Sequence, residues 1–225
     1  MKRGRGVALA GMLLVTTAAW GQTGAGTSYH GAGIGQAGET TYPMNSRTTG
    51  IVTLDVTVDA LGTVQNVRVV RDVPPLTSAA QSAVQSWQFT PALANGQAAA
   101  GTVRVDVVFN PFNPGGVGLP SAPLQPANST GGAASRDFQP ALVTAASYAT
   151  YPPHTRMAGT VVLQVHVGSD GKVHGVIVVR GTGSLSGTAS KAVKTWQFTP
   201  ASYQGKAVAS DAVVVYVFAL PTGTM

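Results

Sequence analysis

Cysteine is absent from this chain. That excludes disulfide staples and thiolate metal sites, so an apolar core must hold any fold it adopts. Acidic side chains are scarce: there are 8 Asp+Glu in 225 residues, and Glu39 is the single glutamate. No spacing sets one carboxylate against another as acid and base. Asp59 and Asp170 stand in turn-like contexts, where Asp favours the turn itself. The four histidines are His30, His154, His166 and His174. Only His166 and His174 flank a common hairpin, which reads as surface strand positions. The run Gly183-Ser184-Leu185-Ser186-Gly187 lacks the central nucleophile of a hydrolase elbow. Gly33 to Gly38 fits a dinucleotide fingerprint but has no strand before it and no helix after it. No catalytic residue, metal ligand or cofactor is therefore expected, and the chain reads as a non-enzyme.

Long hydrophobic runs are lacking too. Val7 to Trp20 is apolar but falls short of the roughly 20 residues a spanning helix needs. Lys2, Arg3 and Arg5 precede it, and Ala19-Trp20-Gly21 follows as a small-x-small site, so residues 1–21 read as a secretory signal. Those three cations supply half of the formal +6 charge. The remaining Lys and Arg are scattered, which reads as solvated surface and argues against a nucleic-acid partner.

What the chain does have is a repeat. Trp87-Gln88-Phe89-Thr90-Pro91-Ala92 returns as Trp196-Gln197-Phe198-Thr199-Pro200-Ala201, an offset of 109 residues. The offset holds without a gap on both sides: about 30 of the 68 positions from 42 to 109 match their partners. A unit this long, present twice, is a duplicated domain and not a solenoid. Modules this small are marginal alone, and covering one another would help them.

Each copy reads as strand, strand, helix, strand. Val52, Leu54, Val56 and Val58 alternate with polar residues, a half-buried strand of period two. A turn at 59–62 leads to a return strand, Val64 to Arg71, matched by Val173 to Arg180. The period then changes. Leu76, Ala80, Ala83, Val84 and Trp87, and Leu185, Ala189, Ala192, Val193 and Trp196, fall on one face of a short helix. Thr77, Ser78 and Ser186 are available as N-caps, and Pro91 and Pro200 forbid further helix. The last strand runs from about 102 to 109 and from about 211 to 218. In the first copy Thr102, Arg104 and Asp106 interrupt it; in the second it is almost wholly apolar. Such a strand is a pairing hazard as a bare edge, so it is expected to be covered by the other repeat, a second chain or a partner strand. The expected fold class is α+β: two β-β-α-β modules, each a three-stranded antiparallel sheet with one packed helix. The expected organisation is a flexible leader at 22–40, modules at 41–110 and 139–221, and a Pro/Gly-rich linker at 111–138. About 25 such linker residues span roughly 25–30 Å.

The ordered pattern of Tyr-Pro, alternating Val strand, glycine turn, helix with Ala-Val-x-x-Trp-x-Phe-x-Pro-Ala, and Val-rich strand ending in Phe resembles the TonB C-terminal domain in both repeats. The resemblance implies a periplasmic protein that engages an outer-membrane receptor of TonB-dependent transport by strand addition. By position it assigns partner contact to Tyr42, Pro43, Tyr151 and Pro152, and to the last strands through Val103, Val105, Val107, Ala212, Val214 and Tyr216. Two alternatives stand beside a soluble periplasmic binder. One is a transducer anchored in the inner membrane by an uncleaved apolar run. The other is a self-associating envelope protein, with its repeats paired or as a homodimer.

Overall fold

The computed structural model describes residues 28–110 and 137–219, apart from 45, 47, 154 and 156, together with Phe112 and Leu124. The expected signal segment and most of the expected linker lie outside the described residues. Among the described residues the architecture is α+β, mostly strand with two helices. Two short strands, β1 (Tyr29–His30) and β2 (Gly33–Gln36), come first. The first repeat continues with β3 (Gly50–Val58), β4 (Val64–Arg71), α1 (Leu76–Gln85), β5 (Gln88–Thr90), β6 (Ala92–Ala94), β7 (Gln97–Ala99) and β8 (Gly101–Asn110). The second repeats the order: β9 (Phe138–Gln139), β10 (Leu142–Ala145), β11 (Gly159–Val167), β12 (Val173–Arg180), α2 (Leu185–Val193), β13 (Gln197–Thr199), β14 (Ala201–Tyr203), β15 (Lys206–Val208) and β16 (Ser210–Phe218).

Local chemistry accounts for the turns. Gly62 and Gly171 take φ of 81° and 75° in the β3–β4 and β11–β12 hairpins. A Cβ there would lie 1.9 Å from the Phe89 carbonyl oxygen and 2.1 Å from that of Phe198. The same two glycines accept hydrogen bonds from the Phe89 and Phe198 amides at 3.1 and 2.9 Å. The repeated hexapeptide is thus pinned to the hairpin turn of its own module. The expected caps act differently from expectation. Thr77 Oγ1 and Ser186 Oγ accept from the Val73 and Thr182 amides, and Ser78 donates to the Pro75 carbonyl. They bind back to the loop before each helix, and neither N-cap position makes a side-chain cap bond.

The expected pair of three-stranded sheets is one six-stranded sheet, ordered β12-β11-β16-β8-β3-β4. Within each module the pairs β3–β4, β3–β8, β11–β12 and β11–β16 are antiparallel. The join is parallel: β16 lies beside β8 from Val213 opposite Val105 to Phe218 opposite Asn110. Both last strands are central, so both of their edges are paired inside the chain. Val105 and Val213 share one face, with Leu76, Ala80 and Val84 of α1. Asp106 and Val214 share the other, where Leu185, Ala189 and Val193 of α2 pack. The two helices therefore sit on opposite faces of the sheet. Each core takes in strand residues of the other module: Val162, Val213, Val215 and Val217 join the α1 core, and Ile51 and Val108 join the α2 core.

Each helix packs on the first two long strands of its own module, β3 and β4 or β11 and β12, and the lead-in segments are clamped across the seam. Thr160 Oγ1 accepts from the Thr40 amide at 3.0 Å and donates to its carbonyl at 2.9 Å. Asn110 does the same for Ala149, the residue 109 positions after Thr40, at 2.8 and 2.9 Å. This corrects the flexible leader for its described part. β2 pairs with β5, and Ile34 enters the α1 core. The glycines that suggested flexibility serve close approach: a Cβ on Gly33 would meet Thr90 Oγ1 at 2.8 Å.

Candidate functional site

The Tyr-Pro segments lie where β3 and β11 begin and β8 and β16 end, since Gly50 pairs with Phe109 and Gly159 with Phe218. The Tyr42 ring meets Phe109 edge-on at 5.3 Å, and the Tyr151 ring meets Phe218 edge-on at 5.2 Å. Tyr42 donates its hydroxyl to the Thr48 carbonyl, and Tyr151 donates to that of Ala219 at 2.8 Å. Burial, and then the neighbouring Tyr148 hydroxyl, push the Tyr42 phenol up to about 12. Burial, and then Tyr42, raise Tyr151 as well. The phenols stay neutral donors. Pro43 and Pro152 are half-buried beside them.

Val103, Val105, Val107, Ala212, Val214 and Tyr216 are buried in the middle of the sheet, none more than 1% exposed. Val103, Val105 and Val107 face α1, whereas Ala212, Val214 and Tyr216 face α2. Their backbones belong to the ladders between β3, β8, β16 and β11. The edge that strand addition would use is filled by the chain's own second copy. Tyr216 donates to the Ser147 carbonyl at 3.0 Å, and burial raises its phenol.

A buried charge cluster lies on the α2 face of the first module. Arg104 holds both Asp55 carboxylate oxygens, Nε at 2.7 Å and Nη2 at 3.0 Å. Its Nη1 donates to the Pro140 and Ala141 carbonyls at 3.0 and 3.2 Å. Arg71 Nη2 donates to the Val143 carbonyl at 2.7 Å, and Arg68 pairs with Asp55. Asp106 is wholly buried: one carboxylate oxygen accepts from Thr53 Oγ1 at 2.6 Å, and the other has no hydrogen-bond donor. Burial pushes this carboxyl up to about 6, against the pull of Thr53, Arg104 and Arg71. The cluster fastens the second module's lead-in to the first module's sheet. Sequence reasoning read these arginines as solvated surface, and Arg71 and Arg104 are buried instead. The available signal was the polar interruption of the first copy's last strand.

The outer strands of the sheet are β4 and β12. At the repeat offset they differ at three positions: Gln65 against His174, Asn66 against Gly175, and Arg68 against Ile177. Arg68 is folded back onto Asp55, whereas Ile177 is 63% exposed and its neighbour Val178 is 46% exposed. His166 and His174 are surface residues, paired with Asp211 at 3.1 Å and Asp170 at 3.0 Å. Among the described residues no cluster of three or more His, Cys, Asp or Glu is placed to hold a metal ion.

Fold and site together define a duplicated α+β module joined through its last strands. The family described as Gram-negative bacterial TonB protein C-terminal matches residues 39–111 and 146–220, more than half of the chain. The chain belongs to that family, as a tandem duplication of the domain. It is a family of non-enzymatic protein-interaction domains, periplasmic in Gram-negative bacteria and associated with TonB-dependent transport. No curated protein and no solved structure matches the chain. Among the described residues no helix is long and apolar enough to cross a membrane.

Proposed function

We propose that this chain is a non-enzymatic periplasmic binding protein of TonB-dependent transport. It engages an outer-membrane receptor or a related envelope protein through strand addition. The observation that carries the reading is the continuous six-stranded sheet, which consumes both last strands internally and leaves β4 and β12 outermost. Partner capture by backbone pairing then falls to the outer edges, and the Tyr-Pro segments at 42–43 and 151–152 brace the last strands. The modules act as one body, with the first repeat at 41–110 and the second at 139–221.

Affinity capture from outer-membrane extract with the exported chain tests this reading. The expected outcome is recovery of an outer-membrane transport protein, identified by mass spectrometry, and loss of that capture when both outer strands carry lysines (Val67→Lys with Ile177→Lys). Capture that persists in the doubly substituted, folded chain would discard strand addition at the edges. Residence of the chain in the inner-membrane fraction would favour the anchored transducer instead.

A further inference from the structure

The geometry points to β12, and not β4, as the docking edge, for an extended segment of apolar, β-branched residues with an acidic residue at each end. The inference rests on the strand-addition reading and names its site. Among the described residues no strand lies beyond β12, so one row of its backbone N–H and C=O groups is free to pair. Ile177 and Val178, on opposite faces, are both exposed there. The ladder to β11 shifts register near each end of β12 and is regular from Gly175 to Val178, where these two residues lie. Exposed large apolar side chains on an edge strand are what proteins normally avoid, by placing charge on the edge. The first copy follows that rule: Arg68 stands at the position of Ile177 and binds Asp55, with Gln65 and Asn66 exposed before it. The same fold, used twice in one chain, therefore blunts one edge and leaves the other sticky.

Charge selects the occupant. Lys172 stands just before β12 and Arg180 ends it, with no acid between them. The nearest acids are committed loosely or locally. Glu39 lies 3.8 Å from Arg180 with both side chains well exposed, and Asp170 holds His174 across its own turn. Without the expected signal segment and its three cations, the chain carries a formal +3. A second copy would bring the same basic ends to the edge, whereas a strand with acidic ends meets Lys172 and Arg180 with opposite charge in either orientation. Apolar β-branched residues between those ends pair best with Ile177 and Val178 across the ladder.

Amide hydrogen exchange on the full exported chain, with acetyl-Glu-Thr-Val-Thr-Val-Thr-Val-Glu-amide as probe, tests this. Slowed exchange along 173–180 is expected. Joint Ile177→Lys and Val178→Lys substitution should weaken binding about tenfold. A probe with lysine at both ends should bind the native chain more weakly, and Arg180→Glu should narrow or reverse that preference. Slowed exchange along 64–71 or within 101–110 and 210–218 would overturn the choice of edge while leaving strand addition standing. Absence of slowing anywhere would overturn it as well, and receptor capture would then be decided by the extract experiment alone. A dimer by light scattering, with 173–180 already protected without probe, would assign the edge to a second copy and overturn the inference.

Discussion

Asp106 is a wholly buried carboxyl with one oxygen left without a donor. Its folded carboxyl titrates near 6, against an ordinary value of 3.8. Between those values the folded chain holds a proton that the unfolded chain has released. Stability from this group is therefore full below about pH 4 and declines as pH rises through 6. The separation corresponds to roughly 3 kcal/mol. Urea unfolding from pH 3.5 to 7.5 should show this fall, and Asp106→Asn should flatten it. An unchanged slope in that variant would place the titration elsewhere. At the hairpin turns the expectation is steric. Gly171→Ala puts a methyl against the Phe198 carbonyl at a left-handed φ, which should lower stability by about 2 kcal/mol or more. Gly187→Ala, a helical position with open space around it, is the matched control and should be neutral or slightly stabilising.

At the scale of elements, the alternating valines, the glycine turns and the helix face were legible because each is a local pattern of period 2 or 3.6. The return strands run from Val64 to Arg71 and from Val173 to Arg180, as their patterning suggests. The small strands β1, β2, β9 and β10 were not legible. β1 and β2 lie in the stretch read as a flexible leader, β9 and β10 are too short to show a period, and contact with β5, β6, β13 and β14 orders them. The clamp residues were equally silent, since one hydroxyl and one amide carry no sequence signature. Asn110→Ala should cost about 1–3 kcal/mol by leaving the buried Ala149 amide and carbonyl unpaired. Chemical denaturation measures it. A loss under about half a kcal/mol would mean that the lead-in is held by packing alone.

For the whole molecule, the repeat announced two domains, and the physics of small cores made them one. Apolar residues of each module complete the other's core, so neither buries its last strand without its neighbour. Calorimetry on the exported chain should show a single transition, with calorimetric and van't Hoff enthalpies in agreement. Two resolved transitions would return the modules to independence. That the join runs through the last strands was half legible. The apolar composition of residues 212–218 demanded a cover, but composition does not say whether that cover lies in the same chain.

The parallel direction of that join bears on how the molecule takes mechanical load. Both last strands leave the sheet at the same end, Asn110 beside Phe218. A pull that draws one module along the strand axis past the other strains the whole row of backbone bonds between β8 and β16 together, in shear. It does not open them one by one, as peeling would. Resistance to such a pull would be concentrated at this seam.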